Sequence, residues 1–305
     1  MAPEGMTTPA LSGTVIAIFG PTAGGKSAVA GEIARTISTD LISADSMQAY
    51  RGLPILTNQP ETPTRLVEIW PLDHEGSVGE YQRVAHDAID TALAAGRTPV
   101  VVGGTGLYLR AALADLELPP APAPGARERW EGVYDRLGGD GAHAALAERD
   151  PDAAAAVHPN DRRRVVRALE LHEAGGSLAP PRRNLWSADT RHPTRIVGLG
   201  VPKDVLEARI EARTREMFAR GVRQEVESAL AGPVSATAAQ IIGLREVADL
   251  PEEKAAAAIV LRTRQYAAYQ RKWMRRIPEL SLVEAEGDPS DAAAEILRAV
   301  EISPF

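Results

Sequence analysis

Apolar positions along this chain alternate between short unbroken runs and longer stretches of helical period. That is the pattern of a parallel sheet whose strands are buried on both faces and joined by helices. Val15-Ile16-Ala17-Ile18-Phe19 is the first run and predicts a buried strand, and the alanine-rich segment from Ala28 to Ile37 predicts the helix behind it. Asp40 to Ala44 predicts a second strand and Arg65 to Trp70 a third, with a proline-rich loop at 51–63 between them. Tyr81, Val84, Ala85, Ala88, Ile89 and Ala92 recur at helical spacing. Ser77-Val78-Gly79-Glu80 ahead of them has the form of a capping box, and Gly96 is placed to stop that helix. Thr98 to Val102 is the clearest later strand. It runs into Gly103-Gly104-Thr105-Gly106, where glycine permits a tight turn and close approach by a ligand.

The composition breaks at Pro119-Pro120-Ala121-Pro122-Ala123-Pro124-Gly125, a predicted hinge. From 126 to 183 the pattern is helical with no strand signal, and its elements are Arg127 to Leu137, His143 to Arg149 and Asp161 to Ala174. Strand character returns at Arg195 to Gly200. An amphipathic helix then carries Leu206, Ile210, Met217, Val222, Val226 and Leu230, interrupted at Gly221. Thr237 to Leu250 and Glu252 to Arg276 predict further helices, Ser281 to Val283 an edge strand, and Asp291 to Val300 a closing helix. The expected organisation is a loose start at 1–13, an α/β domain from 14–118 and 194–305, and an all-helical insertion at 119–193.

The first strand and helix are joined by Gly20-Pro21-Thr22-Ala23-Gly24-Gly25-Lys26-Ser27, which fits the P-loop pattern. The glycines let consecutive N–H groups curl around an anion, and the helix that follows points its positive end at the same place. Lys26 adds a full charge, and the Ser27 hydroxyl can join the shell of a magnesium ion. The fold expected from strand, loop and helix in this order is a P-loop NTPase-like parallel sheet flanked by helices. A phosphate or diphosphate binds there, and the loop alone leaves open which molecule carries it.

Composition narrows this picture. Of 305 residues, 44% are hydrophobic, enough for a large core. No run approaches the ~18 apolar residues of a membrane span. The first 13 residues lack the basic-then-apolar pattern of a signal peptide, so a cytoplasmic protein is expected. The absence of cysteine removes disulfides, thiolate zinc sites and cysteine nucleophiles. The net charge of −7 argues against indiscriminate nucleic-acid binding but leaves room for local basic surfaces.

Two constellations remain. Asp45 follows the second strand, where functional groups gather in open α/β sheets. It would either help bind magnesium or take a proton from a nucleophile, and spacing does not separate the two. Asp161-Arg162-Arg163-Arg164-Val165-Val166-Arg167 is the densest basic cluster, with Arg163 and Arg167 on one helix face. With Arg127, Arg129, Arg182 and Arg183 it clusters arginines in an insertion that is formally neutral within an acidic chain, and that clustering points to a polyanion.

Six stretches, in order from about residue 14 to 276, resemble the bacterial tRNA dimethylallyltransferases, also called tRNA isopentenyltransferases. They are Gly20 to Ser27; Ile42-Ser43-Ala44-Asp45-Ser46-Met47-Gln48-Ala49-Tyr50; Val102 to Tyr108; His158 to Asp161 with Arg167 to Glu170; Ile242-Gly243 with Arg245-Glu246; and Thr263 to Tyr266. The resemblance implies transfer of a dimethylallyl group from dimethylallyl diphosphate to the exocyclic amine of the adenosine beside the anticodon. It implies that Gly20 to Ser27 hold the diphosphate with Mg2+, that Asp45 is the general base, and that Thr105 sits by the reacting groups. Asp45, Ser46, Met47, Gln48, Thr105, Arg127, Arg163, Arg164, Val165, Val166, Arg167, Gln240, Ile241, Ile242, Gly243, Leu244 and Arg245 are then expected at the tRNA anticodon stem-loop. The helical insertion is expected to grip that stem while the base is flipped out, and the enzyme to act as a monomer. Leu53 to Gln59 departs from the Asp-Ile-Gly-Thr-Ala-Lys run usual in the family, and Ala268-Tyr269 from its lysine or arginine pair. A small-molecule P-loop kinase would have no use for an insertion with such an arginine cluster, and a non-catalytic RNA-binding module no use for an intact Lys26 and Ser27.

Overall fold

A computed structural model describes residues 11, 13–120, 123, 125–178, 185 and 187–302 of the chain. Most of the expected loose start, and the arginines at 182 and 183, lie outside the described residues. The chain forms two compact units, Met1–Asp115 with Trp186–Phe305, and Leu116–Leu185.

The larger unit is built on a six-stranded, wholly parallel sheet. Its strands are β1 (Val15–Phe19), β2 (Thr39–Ser43), β3 (Thr64–Arg65), β4 (Thr98–Gly103), β5 (Thr194–Gly200) and β6 (Ser281–Glu284), in the order β3-β2-β4-β1-β5-β6. Every residue of β1 is buried, because helices cover both faces. α1 (Lys26–Thr36) and the C-terminal α11 (Pro289–Ile302) close one layer around Ile16, Ile18, Val29, Ile33 and Ile296. α2 (Val78–Ala94) and α3 (Gly106–Leu113) pack together, with Tyr81 and Tyr108 in ring contact at 4.3 Å between centroids.

The strand order places the site. The crossover from β1 to β2 skips one position, which β4 fills, so the carboxyl ends of β2, β4 and β1 lie side by side. Ala44, Gly103 and Gly20 leave those ends. The approach is close enough that a Cβ on Gly103 would collide with the Ala44 carbonyl, which is why that strand must end in glycine.

Helices α7 (Lys203–Ala219), α8 (Val222–Leu230), α9 (Leu244–Asp249) and α10 (Glu252–Met274) complete this unit. Three local expectations are corrected. The third strand stops at Arg65, because Leu66 and Glu68 have φ of 63° and 56°, outside the extended region; only Trp70 returns, bridging to Tyr50. The helix expected over Thr237 to Leu250 is a short 3-10 turn, Ala238–Gln240, followed by α9; Gly243, at φ 97°, breaks it. Ser77 caps α2 by accepting the Glu80 N–H at 3.1 Å, but the Glu80 carboxylate turns to His74 Nε2 at 2.8 Å instead of completing the box.

The smaller unit holds α4 (Ala126–Arg149), α5 (Pro151–Ala156) and α6 (Arg162–Glu173). α4 runs through Gly138 as a kink, joining what the sequence pattern splits into two. Asp150 and Asp161 cap α5 and α6 through the N–H groups of Ala153 and Arg164, at 2.9 and 3.1 Å. Ala142, Leu146, Val157, Val165 and Leu169 form its core. Residues 187–193, beyond the proline-rich break, belong to the larger unit. There the buried Arg110 donates to the carbonyls of Ser187 and Asp189, at 2.9 and 3.2 Å, and Arg191 pairs with Asp90.

Candidate active site

The loop from Gly20 to Ser27 wraps the start of α1. Ala23 and Gly25 take φ of 61° and 86°, and the Gly24 N–H closes onto the Pro21 carbonyl at 3.0 Å. No side chain caps α1, so its first N–H groups stay open toward a ligand. Thr22 to Ser27 line a cavity of about 410 Å³ together with Asp45, Gln48, Arg209 and Arg213. The P-loop and the carboxylate after β2 therefore face one space, although 18 residues of helix and strand separate Lys26 from Asp45 in sequence.

Four charged groups set the electrostatics of that space. Lys26 Nζ donates to the carbonyls of Gly20 and Pro21, at 3.0 and 2.8 Å. Burial lowers its pKa to about 8; Asp45 opposes that shift and Arg213 adds to it. Arg213 donates to Thr22 Oγ1 at 2.9 Å, and its own pKa is lowered, by burial first, with Asp45 again opposing. Arg209 is anchored by the carbonyls of Ala285 and Glu286. Three cations thus surround a cavity containing one carboxylate, a surplus that suits a multiply charged anion. Arg209 and Arg213 are absent from the sequence-based site. Their spacing of four residues on one helix is the signal the sequence offers, and the apolar period of α7 obscures it.

Asp45 is held by its own loop, since its Oδ1 accepts the Met47 N–H at 2.9 Å. Thr105, between β4 and α3, meets that loop from the other side. Its Oγ1 accepts the Ser46 N–H at 3.3 Å, lies 3.3 Å from the Ser46 hydroxyl, and shares a hydrogen bond of 3.1 Å with the Tyr266 hydroxyl. Burial raises the Tyr266 pKa, and Asp45 raises it further, so its hydroxyl stays protonated. Gln48 spans from the Ser43 hydroxyl to the Asn58 carbonyl, both at 3.0 Å. It thereby holds the loop over 53–59, where the sequence departs from the family run. The far side of that loop is capped by Glu225, which accepts the N–H groups of Ile55 and Leu56 at 2.7 and 2.8 Å.

Ser27 is exposed at the cavity, and no hydrogen bond of its hydroxyl is found among the described residues. No group of three acidic or histidine side chains placed to hold a metal ion occurs among the described residues. A divalent ion here would accordingly take protein ligands from Ser27 and Asp45 at most, and the rest from a diphosphate and water. That suits magnesium, which keeps several waters and relies on phosphate oxygens.

The residues expected at RNA divide by exposure. Arg163 is exposed and Arg164 half-buried, and neither side chain has a partner among the described residues. Val165 and Val166 are buried, with 0% and 3% exposure, so their side chains are core and not contacts. Arg167 and Arg127 both turn onto Glu170, each at 3.0 Å, and Arg167 also donates to the Pro119 and Pro120 carbonyls. The Glu170 side chain is fully buried and its two arginines are partly exposed, so the triad belongs to the unit's own stability. Replacing Glu170 by alanine is expected to destabilise the helical unit by an amount at the low end of roughly 3–5 kcal/mol, because solvent reaches both arginines. A urea titration followed by hydrogen exchange on α4 and α6 checks this. In the larger unit Gln240 and Arg245 are exposed and Ile242 half-buried, while Ile241, Gly243 and Leu244 are buried. A Cβ on Gly243 would strike Leu56, so that glycine serves the packing of the 53–59 loop.

Among the described residues, no helix is long and apolar enough to cross a membrane. Family models described as IPP transferase and isopentenyl transferase match residues 48–277 and 13–64. The chain is 38% identical over 302 residues to a tRNA dimethylallyltransferase of Salinispora arenicola, covering 95% of this chain and 87% of that protein. It is 37% identical over 296 residues to a tRNA dimethylallyltransferase of Corynebacterium jeikeium, covering 92% and 95%. Its fold is similar to the crystal structure of a tRNA isopentenylpyrophosphate transferase from Bacillus halodurans, with a TM-score of 0.66, 30% identity and 95% of each chain covered.

Proposed function

The chain belongs to the tRNA dimethylallyltransferase family, and from that premise we propose how its own residues carry the reaction. The enzyme transfers a dimethylallyl group from dimethylallyl diphosphate to the exocyclic amine of the adenosine next to the anticodon, and diphosphate is released. A C–N bond forms as the C–O bond to diphosphate breaks. The electron pair of that C–O bond leaves with the diphosphate, and the amine loses one proton.

The observation that carries the assignment is the shared cavity, with an anion cradle at Thr22–Ser27 on one wall and the Asp45 carboxylate on another. The open N–H groups of α1, with Lys26, Arg209 and Arg213, hold the diphosphate and take up its growing charge. Asp45 accepts the amine proton, and its bond to the Met47 N–H fixes the carboxylate for that purpose. Thr105 and Gln48 orient the incoming base. Magnesium, held by Ser27 and the diphosphate, supplies charge neutralisation when bound. We take the enzyme to act as a monomer and place it in the cytoplasm, where tRNA is matured.

Arg163 and Arg164 on the helical unit, with Gln240 and Arg245 on the larger one, are assigned to tRNA. The pair Arg163→Ala and Arg164→Ala is expected to weaken tRNA binding for all sequences and to flatten the salt dependence by about one unit of slope per lost phosphate contact. Filter binding at several salt concentrations reads this, and an unchanged slope would make the cluster a solvated helix face. The reaction itself is tested by incubating the protein with unmodified tRNA, magnesium and labelled dimethylallyl diphosphate. Label is expected in the RNA at the adenosine beside the anticodon. ATP consumption with no transfer of label would return the kinase reading.

A further inference from the structure

Helix α10 presents Tyr266, Gln270 and Trp273 on one stripe, four and then three residues apart. Gln270 has 1% exposure, so its amide must find all its partners inside the protein. Its Oε1 accepts the Thr22 N–H at 2.7 Å, and its Nε2 donates to the Gly104 carbonyl at 2.9 Å. The partners fix the orientation of the amide: an N–H can only donate and a carbonyl only accept, so a flipped Gln270 would set like against like. The turn is shaped to receive it. A Cβ on Gly104 would overlap the Gln270 amide, and one on Gly106 would overlap the Trp273 ring. Thr105 lies between these two glycines, and its hydroxyl meets Tyr266 on the same stripe.

The sheet does not supply this link. The pairing of β1 with β4 ends at Phe19 and Gly103; beyond it one strand leads into the anion cradle and the other toward Thr105. Past the last ladder pair, Gln270 ties the two segments with one hydrogen bond to each.

We propose that Gln270 is a positioning residue for prenyl transfer: its carboxamide fixes the spacing between the diphosphate cradle and the Thr105 hydroxyl, and so aligns leaving group and attacking amine across the transferred carbon. The proposal rests on the reading of the cavity as the donor site and of Thr105 as a group at the reacting atoms. Reaction between two bound partners is steep in their separation, and an error of about 1 Å costs on the order of 100-fold in rate. A strap between the two holding elements is therefore a rate determinant without touching either substrate.

The test is a double-mutant cycle on single-turnover rates at saturating donor and tRNA. Gln270→Met keeps the length of the side chain and removes the hydrogen bonds of its amide, those to Thr22 and Gly104 and the one to Tyr266. It is expected to slow transfer about 100-fold, with the donor KM changed far less. In a Thr105→Ala background the same substitution is expected to cost little, because the group it aligns is gone. Gln270→Glu keeps the acceptor for Thr22 and loses the donor to Gly104; it carries the same cycle should the methionine variant fail to fold. Equal losses in the two backgrounds would make Gln270 a plain structural support and overturn the proposal. So would a raised donor KM at an unchanged rate. Those outcomes leave the donor-site reading standing, whereas an undiminished kcat/KM for the donor in Lys26→Ala would remove that reading and this proposal together.

Discussion

Replacing Asp45 by asparagine lowers the rate of prenyl transfer by about 100- to 10,000-fold, equivalent to about 3–5 kcal/mol of barrier. Asparagine is the informative replacement because its Oδ1 can still accept the Met47 N–H, now at 2.9 Å, so the loop keeps its shape while the base disappears. One side effect has to be separated. Asp45 is the negative neighbour that opposes the lowered pKa of both Lys26 and Arg213. Without it the cradle becomes more positive, and Lys26 loses its proton more readily. Donor binding therefore shifts as well, and a steady-state rate at one donor concentration would mix the two effects. Single-turnover measurement at saturating donor and tRNA isolates the proton transfer. A variant rate within a few-fold of the parent under those conditions would mean that Asp45 is not the base. tRNA binding is expected to hold, since the exposed arginines assigned to it lie on other elements.

The legible part of this protein is what local pattern can encode. Val15 to Phe19 reads as a strand because parallel strands are buried on both faces, and the loop after it reads as an anion cradle because its glycines, lysine and serine are contiguous. The strand after Thr98 and the break at Pro119 are visible for the same reason. What stays hidden depends on register and long-range contact. Nothing local says that β4 inserts between β1 and β2, yet that insertion brings Thr105 beside the Asp45 loop. Gln270 meets Thr22 across 248 residues, and Arg213 meets it across 191. The arginines of α6 show the opposite failure. Arg163, Arg164 and Arg167 look alike in sequence, but a buried Glu170 one turn on claims Arg167 and draws in Arg127 across 43 residues. The third strand ends early because Leu66 and Glu68 adopt positive φ with no glycine to announce it.

Removing the Lys26 amine, as Lys26→Ala, is expected to lower kcat/KM for the donor by about 100- to 1,000-fold, the usual cost of losing one donor to a developing oxyanion. The argument turns on where its charge is used. In the structure Nζ rests on the Gly20 and Pro21 carbonyls, within the loop that binds the anion. It can pass to a diphosphate oxygen without leaving that loop. Negative charge on the diphosphate grows as the C–O bond breaks, so the amine contributes more to the transition state than to the bound donor. The rate constant should accordingly fall more than donor affinity does. The pH dependence gives an independent check. Burial lowers the pKa of Lys26 to about 8, and the protonated amine is the form that binds an anion. Below that value the site is already charged. Above it, binding must take up a proton, and donor affinity should weaken toward roughly tenfold per pH unit. Lys26→Ala should lose this inflexion, leaving a weak affinity that is flat through the same range. Donor titrations by calorimetry in buffers of different ionisation enthalpy would show proton uptake by the parent above about pH 8 and none by the variant. A parent whose affinity is level from about pH 7 to about pH 9.5 would place the diphosphate out of reach of this amine.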